Sequence, residues 1–138
     1  MYVTNEKWAK LKGPFQSVTG ERIYEMVGSG NKVGRTVGHS IALVEIPSGK
    51  SSPAHFHKKS EETYYVLGGK GRMIIDGEER ILEPGQMCPI LPGQIHQIFT
   101  EGEEDLRFLV VCAPAWRPDD TYEPPKPSDK KSHSMTPC

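Results

Sequence analysis

Residues 49–69 read GKSSPAHFHKKSEETYYVLGG, and residues 85–96 read GQMCPILPGQIH. His55 and His57 are separated by one residue, so on an extended strand both imidazoles project from the same side. The turn Lys58-Lys59-Ser60-Glu61 leads into a strand pattern from Glu62 to Leu67, and a hairpin there would bring the Glu62 carboxylate beside the two rings. His96 would arrive from a third strand. Three neutral imidazoles and one carboxylate suit one divalent ion (iron, manganese, nickel, copper or zinc) and leave positions open if the metal takes five or six ligands.

The surrounding punctuation is that of strands. Fourteen glycines and twelve prolines cut the chain into short segments rich in Val, Ile, Leu and Tyr, as in an all-β sandwich or barrel. Ile23 to Val27 and Ser40 to Ile46 precede the histidine pair. After it, Arg72 to Ile75 meets Asp76-Gly77, the strongest two-residue hairpin signal in the chain, and Arg80 to Leu82 returns. Met87 to Ile90, Ile95 to Thr100 and Leu106 to Cys112 complete the eight or nine strands that a double-sheet jelly roll requires.

These motifs resemble the cupin superfamily. Gly49, His55, His57, Glu62 and Gly69 fit its first motif, G-x5-H-x-H-x(3,4)-E-x6-G. Gly85, Gly93 and His96 fit its second, G-x5-P-x-G-x2-H-x3-N, with Leu91 at the proline position, Pro92 one residue late and Thr100 at the terminal asparagine. Two motifs in order are more specific than either alone, and the resemblance covers about Ser40 to Pro114. It implies a double-stranded β-helix, the cupin jelly-roll barrel, with metal ligands at His55, His57, Glu62 and His96. His39 and His133 lie outside the pattern and read as ordinary histidines.

Net charge is −1, so no broad basic field exists to draw nucleic acid. No apolar run approaches the roughly 20 residues that cross a bilayer, and residues 1–7 lack a signal-peptide pattern, so a cytoplasmic protein without membrane partners is expected. Cys88, Cys112 and Cys138 fit no C-x-x-C spacing; the first two lie in apolar strand patterns and read as small buried hydrophobes.

Three regions are expected. Residues 1–20, with Trp8 and Phe15, form a short helix or an edge strand that packs on the barrel or on a partner subunit. Residues 21–114 form the cupin domain. Residues 115–138 are a proline-rich tail, largely disordered, with Trp116 capping the barrel rather than meeting ligand. Edge strands favour a homodimer.

Strand parity nominates pocket residues. Tyr64 and Val66 share a face with Glu62, and Ile98 and Thr100 share one with His96, so these should line the cavity. Either Met73 and Ile75 or Arg72 and Ile74 should join them. Tyr64 is the candidate catalytic residue, because its phenol can donate a proton or hydrogen-bond a ligand oxygen. The resulting expectation is a metalloenzyme for a small, metal-chelating, oxygenated substrate, either a dioxygenase or an isomerase/lyase. The alternative is a non-catalytic metal- or sugar-binding cupin, such as a sensor, and fold alone does not choose between them.

Overall fold

A computed structural model describes residues 1–126. Its strands are β1 (Phe15–Gln16), β2 (Arg22–Val27), β3 (Ser40–Ile46), β4 (Glu61–Gly68), β5 (Lys70–Ile75), β6 (Glu78–Leu82), β7 (Met87–Ile90), β8 (His96–Glu101) and β9 (Leu106–Ala113). One sheet runs β1-β2-β3-β9-β4-β7 and the other β6-β5-β8, with every strand pair antiparallel. The result is a jelly-roll sandwich. The smaller sheet is extended by residues 51–57, which bridge β8 at Ser51–Phe99 and His55–His96.

The turns obey local chemistry. Asp76 and Gly77 both take positive φ, 47° and 85°, the conformation that matches a two-residue turn to the twist of its strands. Gly69 sits at φ 70°, where an added Cβ would lie 2.4 Å from the Asp105 carbonyl oxygen. Motif glycine and close packing are therefore one requirement.

Alternation sets which side chains enter the sandwich. Along β4, Glu62, Tyr64 and Val66 are buried while their neighbours are more exposed, and β8 repeats this with His96, Ile98 and Thr100. On β9, Leu106, Phe108, Val110 and Cys112 point inward. They pack with Val44, Ile46, Met73, Leu82 and Ile90, each fully buried aliphatic or aromatic side chain contributing about 1.5–3 kcal/mol. Met73 and Ile75 take the inward side of β5. Arg72 lies outside, its guanidinium over the Phe99 ring at 4.4 Å.

The N-terminal segment uses both of its expected forms. Asn5 caps α1 (Glu6–Leu11) by accepting from the Trp8 N–H at 2.9 Å, and β1 then pairs with β2. Ala9 packs on Tyr24 and Leu43, on the outer face of the larger sheet. Glu45 holds both Lys10 (3.1 Å) and Arg107 (3.0 Å), and Arg107 also reaches Glu6. Trp8 and Phe15 remain exposed.

The C-terminal segment departs from the expected disordered tail. Phe56 and Tyr122 exchange backbone hydrogen bonds of 3.1 and 3.0 Å, and a single turn, Pro118–Asp120, packs against the histidine strand. Residues 127–138, including His133 and Cys138, lie outside the described residues.

Candidate metal centre

His55, His57, Glu62 and His96 converge as the motif spacing implies: one ligand atom from each lies within 4.8 Å of all the others. Neighbouring ligand atoms bound at right angles to one ion at about 2.1 Å would be about 3 Å apart. The spacing here is of that size, with Glu62 3.2 Å from His57 Nε2 and 3.0 Å from His96 Nε2. The route differs from the expected hairpin. His55 and His57 belong to the extension of the smaller sheet, whereas Glu62 opens β4 in the larger one, so residues 58–61 turn a corner between sheets.

Each imidazole is oriented through its other nitrogen. Nδ1 of His55 donates to Pro53 O (2.8 Å), that of His57 to Asp120 O (2.8 Å) and that of His96 to Gln94 O (2.9 Å). A carbonyl can only accept, so Nδ1 carries the proton and Nε2 presents a lone pair. Nε2 of His57, Nε2 of His96 and Oε2 of Glu62 are buried without a hydrogen-bond donor among the described residues. Electron pairs therefore face one another at about 3 Å. Protonating all three rings would set three imidazoliums against one carboxylate, whereas one divalent cation satisfies every lone pair. The donor set fits a metal ion, which the cluster could hold.

A proton on a ring would be drawn to the same point as a metal ion, because the rings then pair with Glu62. Burial would raise the Glu62 carboxyl, but His57 and His96 hold it well below the usual carboxylate range. Burial depresses His55 to about 4, with His96 adding to the effect. His57 is raised, since its partners Glu62 and Asp120 outweigh the burial that lowers it. Cys112, expected as a buried hydrophobe, also donates its thiol to Glu62 Oε1 at 3.2 Å. Burial and Glu62 push that thiol far up, so it stays protonated.

Asp120 was invisible to motif reading. Its carboxylate accepts the backbone N–H groups of Lys58, Lys59 and Ser60 at 3.1–3.2 Å, clamping the corner between His57 and Glu62, while its carbonyl fixes the His57 ring. The second motif closes the other side: Gly93 N–H donates to His57 O at 2.6 Å, and Thr100 Oγ1 donates to Ile46 O at 2.8 Å.

The cluster opens into a cavity of about 60 Å³ walled by the inner face of the larger sheet. Tyr64 lines it, its ring stacked on Phe108 at 4.5 Å and edge-on to His96 at 6.1 Å. Burial, then Glu62, pushes its phenol upward, so it remains protonated. Val66, Ile98 and Thr100 face inward as parity requires, but they fill the sandwich beyond the cavity and do not line it. Trp116, expected to cap the barrel away from ligand, lines the cavity. Glu21 and Glu25 also line it and were not anticipated. Their spacing on one strand face with Ile23 was legible, but Tyr24 and Met26 made the opposite face an equally good core face.

The chain matches the family model for the cupin domain over residues 42–112. This chain belongs to the cupin family. The cupin is 30% identical over 121 residues to the uncharacterized protein MJ1618 of Methanocaldococcus jannaschii, covering 88% of this chain and 94% of that one. It is 34% identical over 71 residues to the oxalate-binding protein of Thermotoga maritima, covering 51% and 59% respectively. Among solved structures, KdgF from Halomonas sp. superposes with a TM-score of 0.64 at 21% identity, over 80% of this cupin and 93% of KdgF, a likeness of fold. No helix among the described residues is long and apolar enough to cross a membrane.

Proposed function

We propose that this cupin is a metalloenzyme that binds one divalent transition metal through His55, His57, Glu62 and His96 and acts on a small oxygenated chelator, as a dioxygenase or an isomerase/lyase. The observation that carries this reading is the buried set of donorless nitrogen and oxygen atoms beside a cavity. The bound ion would supply Lewis acidity toward a chelated oxygen and, if redox-active, affinity for dioxygen. Ile23, Val44 and Val110 give the cavity apolar walls, and Tyr64 offers a protonated hydroxyl to a ligand oxygen.

Elemental analysis of protein purified without chelators, followed by oxygen uptake with small diols, enols and thiols, tests the reading. Iron with uptake supports an oxygenase, whereas zinc or manganese without it supports an isomerase or lyase. Tyr64→Phe is expected to leave fold and metal content intact and lower turnover about 100-fold. Unchanged turnover would remove Tyr64 from proton transfer and raise the non-catalytic reading, which the similarity to an oxalate-binding protein also supports.

The proposal extends to a homodimer. The two-residue edge strand β1 carries exposed Phe15, with exposed Val18 just beyond, and such an edge suits isologous pairing. Light scattering is expected to give twice the 15.4 kDa chain mass; the monomer mass at micromolar concentration would refute it.

A further inference from the structure

The cavity is unusual in its charge. Three glutamates line it, Glu21, Glu25 and Glu62, and no lysine or arginine does so among the described residues. Glu62 belongs to the ligand cluster. Glu21 has no such role: it is 6% exposed, it lines the cavity, and no described residue donates to its carboxyl or pairs with it.

A buried carboxyl without a partner is costly unless something in the cavity satisfies it. Burial, with Glu62 adding to it, pushes Glu21 up to about 8. Glu25 is raised by burial as well, and its carboxylate tip occupies the space that a Cβ on Gly28 would need, 2.0 Å from Oε1. A divalent ion offsets Glu62 and leaves one positive charge against Glu21 and Glu25. An arriving dianion would find no further cation. An ionised Glu21 repels an anion, and a neutral one offers it a single hydroxyl donor in place of a cation.

Size narrows the choice further. At roughly 10–15 Å³ for each ordered water, a cavity of about 60 Å³ accepts about five water-sized groups. The metal takes an oxygen donor, and Glu21 pairs best with an O–H or N–H.

Resting on the metal reading above, we propose that the cavity selects small uncharged chelators bearing a hydroxyl, that Glu21 is the residue that hydrogen-bonds them, and that dianions such as oxalate are disfavoured.

Glycolamide and glycolate make a matched pair of probes, sharing skeleton and hydroxyl and differing in charge. Each is titrated into Co²⁺-loaded full-length protein and followed by calorimetry and by the visible cobalt spectrum. Free Co²⁺ favours the anion. At about pH 9, where Glu21 carries its charge, the wild-type protein is expected to bind glycolamide at least as tightly as glycolate, and Glu21→Gln should shift the ratio at least about tenfold toward glycolate. Glu25→Gln should shift it the same way by less. A wild-type preference for glycolate matching free Co²⁺ would overturn the inference while leaving the metal reading intact, even if Glu21→Gln failed to fold. So would an unchanged ratio in both Glu21→Gln and the Glu21→Gln/Glu25→Gln double variant. Failure to take up one Co²⁺ per chain would overturn the metal reading and the inference with it.

Discussion

Replacing Glu62 with glutamine, or His96 with alanine, is expected to weaken divalent-metal binding by more than about 100-fold, beyond the ten- to hundredfold typical of losing a residue that only orients a ligand. Glu62 is the sole carboxylate of the cluster and lies within 3.2 Å of two imidazoles. Its loss leaves three neutral rings to hold a divalent charge. The same residues should govern thermal stability. Metal at a thousandfold excess over Kd stabilises a folded chain by about 4 kcal/mol, or about 10–20 °C for a domain of this size. Wild-type protein should show that rise on metal addition, and Glu62→Gln should show almost none. A rise of equal size in the variant would mean that the ion binds elsewhere.

Asp120→Ala is expected to lower stability by about 3 kcal/mol or more, read from urea unfolding. The substitution strands three backbone N–H groups of the corner, and hydrogen bonds to charged acceptors contribute about 1.5–3 kcal/mol each. Asp120 is buried, so water does not readily replace the carboxylate. Its backbone carbonyl is also the acceptor that fixes His57. Alanine keeps that carbonyl but loses the clamp that positions it, so metal affinity should fall about 10- to 100-fold. Asp120→Asn keeps one acceptor oxygen and should fall between wild type and alanine. Full stability in Asp120→Ala would show that the corner holds its shape without the clamp.

His55, His57 and Glu62 were legible because their geometry is largely local, and His96 because the second motif repeats the cupin pattern. Alternation along an extended chain puts His55 beside His57 and Tyr64 beneath Glu62, and positive-φ turns at Gly69 and Asp76-Gly77 fix where strands end. The face of β5 was not legible. Met73 and Arg72 each sit in an apolar-tolerant pattern, and only pairing with β8 and β6 decides which one is inside.

By itself, then, the amino-acid sequence determined the strand order along the chain and the jelly-roll class, because period-2 alternation and turn chemistry act over a few residues, and its two cupin-like motifs named the four clustered residues. Tertiary structure alone decided that the two histidines and the glutamate meet across a corner between sheets, that Asp120 from a segment expected to be disordered clamps that corner, and that Glu21, Glu25 and Trp116 wall the cavity. The clamp joins Asp120 to residues 60 to 63 positions earlier, and the cavity wall combines Glu21 with Trp116 from the opposite end of the domain. The energy of these contacts depends on burial and on partners that the folded sandwich brings together, and no local pattern encodes it.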